Sequence, residues 1–353
     1  MPRIAFSWHG LPQFAARLIR GALDILGDDC VVVGSRPEVP VRGMEEALNS
    51  PIHWVEPGSE ARWESLGVAT PEIFVQSGWS YRAFNSLGLQ VKARGGSVIG
   101  LSDANWRGDF RQVVLGALAF RAIYRRRFDA MIVPGRQGER LMRWFGMPGD
   151  RVRAGMLGGD PSLYFGGEKL SLRAKTFLFV GQFIARKDVL GLTRAFIRFS
   201  DQRPGWTLRL CGGGEQRELI PRRENVIVED FVQPEPLAER FREARFFVLP
   251  SKFEAWGVVV HEAACSGCGL VLSDRTGSAD DLASPVNSVR FRAGSEDDLL
   301  RALIEAAAFD GEALCAAEAE SRRLAAAFGP ERFGRECKLL IDELTSVTID
   351  RTL

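Results

Sequence analysis

Residues 245–273 read RFFVLPSKFEAWGVVVHEAACSGCGLVLS. Arg245-Phe246-Phe247-Val248-Leu249-Pro250 is a short aromatic and β-branched run stopped by proline, the pattern of a buried strand. Pro250 to Gly257 is a loop, Val258 to Cys265 is helical, and Gly269 to Ser273 is a second strand. Strand, loop, helix and strand in fewer than thirty residues make a βαβ unit, whose two strands must run parallel. Two carboxylates, Glu254 and Glu262, are separated by seven residues across the apolar run.

Outward from this unit the alternation recurs. Residues 4–8, 30–34, 73–75, 98–101 and 130–133 read as strands, and residues 13–26, 110–127 and 137–145 as helices. A turn-rich stretch from Gly155 to Pro161, with Gly166-Gly167 close behind, interrupts the series. Strands then follow at residues 176–181, 207–211, 226–228, 246–249 and 269–273. Helices cover about residues 190–200 and 296–309, and two more helical stretches close the chain. The fold class expected is α/β, with two Rossmann-like domains joined near residue 165 and a ligand cleft between them, beyond the carboxyl ends of the strands.

A chain of 353 residues accommodates two such domains. A net charge of +1 gives no global field that would favour nucleic acid, so no nucleic-acid partner is expected. The N-terminus lacks the apolar core of a signal peptide, and no run is long enough to span a membrane. Six scattered cysteines do not make a disulfide framework. Cys265 and Cys268 form a C-x-x-C without a second pair, and packed thiols are expected there rather than a metal or redox site. The setting expected is the cytoplasm.

Three strand-end loops in the second half carry the chemistry. Gly181-Gln182-Phe183-Ile184-Ala185-Arg186-Lys187-Asp188 places two cations ahead of a helix, where the dipole disfavours them unless an anion is present. Cys211-Gly212-Gly213-Gly214 permits close backbone approach to a ligand, though a flexible turn explains it equally well. Neither a G-x-G-x-x-G nor a G-x-x-x-x-G-K-[ST] loop occurs, which removes the main support for dehydrogenases and P-loop NTPases. In the third loop Glu254 stands at a helix mouth. A helix beginning at once would bring Glu254 and Glu262 to within about 80° around its axis. Two acceptors flanking a diphosphate would take hydroxyl donors from the sugars on either side.

Glu254-x7-Glu262, between Leu249-Pro250-Ser251 and Ala263-Ala264-Cys265-Ser266-Gly267, resembles the E-x7-E signature of retaining glycosyltransferases of the GT-B fold, glycosyltransferase family 4. Phe179-Val180-Gly181 with Lys187, the Gly212–Glu215 loop, Phe231-Val232-Gln233, Ser273-Asp274 through Asp281 and Asn287, and Gly158-Gly159-Asp160-Pro161 extend the resemblance over about residues 130–340. It implies an N-terminal acceptor domain over residues 1–167, a donor domain over 168–329, and a helix from 330 to 353 packing back across the boundary. It implies a nucleotide-diphosphate-sugar donor and a glycan, lipid-linked or small-molecule acceptor. Gly181, Arg186, Lys187, Gly213, Val232, Trp256, Gly257 and Glu262 would bind donor, with Lys187 on the diphosphate and Glu262 on the ribose. Glu254 would contact the transferred sugar. No cofactor and no metal are expected. The alternatives are a sugar-nucleotide epimerase of the same fold and a non-catalytic nucleotide-sugar-binding partner protein.

The departures are Gln182 for an arginine, and Asp188 and Ser288 for glycines. The N-terminal loop histidine common in the family is also missing. His9 and Asp103 are the candidates on the acceptor side, followed by Arg107. His261 is expected to pack the helix or lie at the surface. Arg111, Arg121 and Arg125-Arg126-Arg127 decorate a helix with Val113, Val114, Leu118, Phe120 and Tyr124. Two readings stand for it: peripheral membrane contact on the cytoplasmic face, or cations gathered at a helix carboxyl end by its dipole.

Overall fold

The computed structural model describes residues 3–27, 29–37 and 43–350, so the first two and last three residues of the expected domain spans lie outside the described residues. By their contacts these residues form two compact units. One runs to Gly158 and resumes at Phe328, and the other is Gly159–Ala327.

The first unit has seven strands: β1 (Ile4–Trp8), β2 (Cys30–Gly34), β3 (Ile52–Trp54), β4 (Ile73–Ser77), β5 (Ser97–Leu101), β6 (Ala130–Val133) and β7 (Val152–Ala154). The second has six: β8 (Ala174–Val180), β9 (Thr207–Cys211), β10 (Val226–Glu229), β11 (Ala244–Leu249), β12 (Gly269–Ser273) and β13 (Ser288–Phe291). Every pairing is parallel. The orders are β3-β2-β1-β4-β5-β6-β7 and β10-β9-β8-β11-β12-β13. Each sheet therefore reverses direction once, between β1 and β4 and between β8 and β11. At such a reversal the loops leaving the two strands turn to opposite faces and open a crevice at their carboxyl ends.

Central strands covered on both faces read as continuous apolar runs rather than alternating ones. Phe177, Leu178 and Phe179 of β8 and Phe247, Val248 and Leu249 of β11 are wholly buried. Phe177 stacks on Trp206 with ring centres 4.5 Å apart and meets Phe199 edge-on at 5.5 Å. Pairs of this kind add to what area burial alone supplies.

The sequence reading omitted β3, β7 and β13, which hold three or four residues each, too few to show a period. Residues 110–127, expected as one α-helix, wind differently. Arg111–Gly116 and Phe120–Tyr124 are π-helical on either side of Ala117–Ala119. The i→i+5 winding brings Gln112 and Ala117, five residues apart, onto one buried face. Gln112 then anchors the preceding loop, accepting from the Arg107 N–H at 2.7 Å and donating to the Asn105 carbonyl at 2.7 Å.

The last helix, Pro330–Asp350, packs on the Gln13–Leu26 helix of the first unit. Two glycines make the approach close. A Cβ on Gly21 would lie 2.7 Å from Pro330, and one on Gly334 would lie 2.6 Å from the Gly21 carbonyl. Arg153 of β7 adds a 2.6 Å ion pair to Glu343. Among the described residues no helix is long and apolar enough to cross a membrane.

Candidate functional site

The loops after β8 and β11 meet at the reversal of the second sheet. Lys252 N–H donates to the Arg186 carbonyl at 2.8 Å, and Lys252 Nζ pairs with Asp188 at 3.1 Å. Arg186 Nη1 reaches the Phe253 carbonyl at 2.9 Å and Glu254 Oε2 at 3.4 Å. Lys187, which is buried, donates its ammonium to the same Glu254 oxygen, and the Ser251 hydroxyl adds a third donor at 3.3 Å. The two cations ahead of the helix thus have their anionic partner within the unit. Asp188 opens that helix, Val189–Gln202, with φ 55°, a left-handed conformation. This is the physical content of the departure at that position, since glycine is the residue that adopts it without strain.

Glu254 does not enter the helix, contrary to the geometry in which the helix begins at once. Its backbone is held by the turn after β12, accepting from Gly277 N–H and donating to the Arg275 carbonyl, both at 3.0 Å. The helix is Val258–Cys265, opened by Gly257 at φ 88° with no side chain capping its first N–H groups. Such an end is positively polarised and suited to an anion. Trp256 is buried in the core, donating from Nε1 to Asp281 at 3.1 Å, so its side chain supports the loop from beneath.

Glu262 lies inside the unit rather than against Glu254. It is buried beside Gly159, and Tyr164 hydrogen-bonds to it. Burial pushes its pKa up to about 7, with the Tyr164 bond pulling the other way. A Cβ on Gly159 would come within 2.8 Å of Glu262 Cγ, so the turn must be glycine for the carboxylate to sit there. His261 is wholly buried, which excludes the surface placement. Its Nδ1 accepts from Gly159 N–H at 2.9 Å and its Nε2–H donates to the Ala325 carbonyl at 2.9 Å, a neutral ring. Burial lowers its pKa to about 4, against the raising effect of the Ala325 bond.

Gly181 closes β8 at φ 156°. Gly213 lies in the loop after β9, its carbonyl accepting from Phe183 N–H at 2.8 Å, and a Cβ there would meet nothing. Val232 is half-buried in the loop after β10, the edge strand of the second sheet. Cys265 and Cys268 are buried, and burial raises both thiols, Cys268 to about 11.

In the first unit His9 follows β1 at that sheet's reversal. Its ring stacks on Tyr81 with centres 3.8 Å apart, and its Nδ1 lies 3.0 Å from the Ser35 hydroxyl. Asp103 follows β5 and keeps an exposed surface, yet protein crowded around its carboxyl raises its pKa, against its own backbone hydrogen bond and the charge of His9.

Sequence reasoning did not single out Tyr164, Ser35, Tyr81 or Arg173. The last is a buried arginine donating to the carbonyls of Glu168 (2.9 Å), Phe241 (3.3 Å), Ala244 (3.2 Å) and Ser266 (2.6 Å). A lone arginine before a strand gives no signal for such a role. Asp160-Pro161, in the sequence reading only part of a turn, caps and opens the helix Pro161–Tyr164, and that pattern is the signal that could have pointed to Tyr164.

Two doubly wound parallel sheets in one chain define the GT-B fold. Residues 174–308, within the second unit, match the family model described as Glycosyl transferases group 1. The uncharacterized glycosyltransferase MJ1607 of Methanocaldococcus jannaschii is 28% identical over 122 residues, 33% of this chain and 31% of that protein. The chain thus matches about a third of the length of that curated relative. The sucrose-phosphate synthase of Thermosynechococcus elongatus superposes with a TM-score of 0.72 at 18% identity, covering 98% of this chain and 99% of the other. Anabaena HepE, solved in complex with UDP and glucose, gives 0.74 at 12% identity, covering 97% and 100%.

Proposed function

We propose that the chain is a retaining glycosyltransferase of glycosyltransferase family 4, moving a sugar from a nucleotide-diphosphate sugar to a glycan, lipid-linked or small-molecule acceptor. The observation that carries this reading is the junction of Lys187, Arg186 and Glu254 at the reversal of the second sheet, inside the segment that matches the glycosyltransferase model. Lys187 and Arg186, with the uncapped helix at Val258, receive the diphosphate. Glu262 accepts from the ribose hydroxyls, and Glu254 contacts the transferred sugar. Val232 and its neighbours line the base.

In the transfer, the bond from the anomeric carbon to the diphosphate breaks and the acceptor hydroxyl oxygen bonds to that carbon from the same face. The acceptor proton passes to the departing diphosphate. Cations fixed at the diphosphate stabilise the charge that develops there, and stabilisation of this kind usually dominates enzymatic catalysis. Neither a cofactor nor a metal enters this reading. His9 and Asp103 belong to the acceptor half, on the first unit. The cytoplasm is its setting, with peripheral membrane contact by the first unit.

A thermal-shift screen against UDP, GDP, ADP, CDP and their sugars tests it, since a ligand that binds only the folded state raises stability with the logarithm of its excess over Kd. The expected result is a selective shift with one nucleotide, lost in Glu262→Ala and Lys187→Ala. Full affinity in both variants overturns the site. Turnover of donor without an acceptor would mark an epimerase, and binding without any turnover a non-catalytic partner.

A further inference from the structure

Fourteen large apolar side chains are exposed among the described residues, and six of them lie in one place: Phe110, Val114, Leu115, Leu118, Ile123 and Trp144. Phe110 and Leu115, and Leu118 and Ile123, are each five residues apart, the i→i+5 spacing of this segment's winding, and Val114 adjoins Leu115, which lines them along one side. Residues 110–128 contain five arginines and no acidic residue. The flanking acids are already engaged. Asp109 pairs with Arg107 at 3.2 Å, and Asp129 pairs with Lys92 at 2.8 Å.

The dipole explanation accounts for part of this. Arg121 donates to the Trp144 carbonyl at 2.7 Å and Arg125 to the Gly146 carbonyl at 3.0 Å, so these two close the end of the Arg136–Trp144 helix. It does not account for Arg111 and Arg126, both exposed, nor for an exposed apolar row. A soluble surface that concentrates its exposed apolar groups and rims them with a single sign of charge is shaped for a partner of the opposite charge with an apolar interior.

We propose that this face of the first unit docks on the surface of an anionic lipid bilayer, with Phe110, Leu115, Leu118 and Ile123 entering the headgroup boundary and Arg111 and Arg126 meeting lipid phosphates. Trp144 suits the same depth, its apolar body against the face and its Nε1 already bonded to the Val113 carbonyl at 2.8 Å. The inference deepens the acceptor half of the proposed function: the acceptor it favours is one held at a membrane surface.

Flotation of the full chain with vesicles tests it. Binding is expected to equimolar phosphatidylcholine and phosphatidylglycerol, not to phosphatidylcholine alone, and to weaken with added salt. At about 1 kcal/mol per arginine, Arg111→Gln with Arg126→Gln should reduce binding more than about tenfold. Leu115→Ser with Leu118→Ser should reduce it by a similar factor while the circular dichroism spectrum is unchanged. Lys187→Ala should float like the parent, so failure of the donor site and failure of this face are read apart. Absence of binding to anionic vesicles overturns the proposal. So does a dimer in size-exclusion chromatography that the leucine variants dissolve, which would assign the face to a second copy of the chain.

Discussion

His261 and Glu262 are neighbours on one helix, both buried, and burial drives their pKa values in opposite directions: His261 down to about 4, Glu262 up to about 7. Each residue favours its neutral form in the folded chain. For His261 the unfolded value, 6.5, lies above the folded one, so its contribution is lost as pH falls from about 6.5 to 4. For Glu262 the unfolded value, 4.5, lies below the folded one, so its contribution is lost as pH rises from about 4.5 to 7. The two slopes oppose one another over most of the same window. Glu262→Gln should therefore raise stability at pH 8 by up to about 3 kcal/mol and leave a protein that gains stability with pH between 4 and 6.5. His261→Gln should leave the reverse slope. Denaturant midpoints measured across pH for the parent and both variants decide this, and parallel profiles for all three would contradict it.

Lys187 is held by Glu254, so a diphosphate bound as proposed has to compete with that carboxylate. Lys187→Ala is expected to weaken nucleoside diphosphate binding about 10- to 100-fold, the range of a charge-assisted hydrogen bond in a buried setting. Glu254→Gln removes the competitor. It should bind the free nucleotide at least as tightly as the parent and yet lose sugar transfer. Calorimetric titration of both variants gives the answer, and weaker nucleotide binding by Glu254→Gln would show that the two do not compete.

Gly213 and Gly159 separate two uses of glycine. Space is open around Gly213, so Gly213→Ala should change stability by less than about 0.5 kcal/mol. If a ligand approaches the backbone there, donor affinity should fall in the same variant. Gly159→Ala pushes on Glu262 and Tyr164 and should destabilise by about 1–3 kcal/mol, with donor affinity falling as well. Thermal melts with and without nucleotide distinguish them, and a Gly213→Ala variant with parental donor affinity would return that loop to the status of a turn.

Arg173 ties four backbone carbonyls together, including Ser266 at the end of the helix that carries Glu262. Its loss leaves buried acceptors without donors, each worth about 1–3 kcal/mol. Arg173→Met, similar in length, should lower stability by more than about 3 kcal/mol in a urea titration. A smaller change would mean that water or backbone shifts satisfy those carbonyls.

Much of the fold was legible because buried parallel strands announce themselves. Residues 246–249 and 270–272 are uninterrupted apolar runs, and the glycines and proline around them fix where the chain turns. Residues 52–54 and 152–154 carry no such signal, because an edge strand of three residues borrows its order from its neighbour. At the site, the cations Arg186 and Lys187 raised the question of a partner, but the identity of that partner as Glu254 depends on β8 and β11 lying side by side, a long-range pairing. The burial of His261 was hidden for the same reason, since the carbonyl it bonds lies at Ala325. Residues 110–127 misled in a different way. Their spacing suits an α-helix, whereas the chain takes the wider winding that puts Gln112 and Ala117 on one buried face.

The discontinuity of the first unit also sets an order of events during synthesis. Residues 159–327 are contiguous and can complete their contacts as soon as they leave the ribosome, whereas the first unit waits for the Pro330–Asp350 helix to reach Gln13–Leu26. The half of the protein made second is thus the half that matures first. A chain cut after residue 327 should resist protease across 159–327 while its earlier residues are digested, and equal protection of both parts would refute this order.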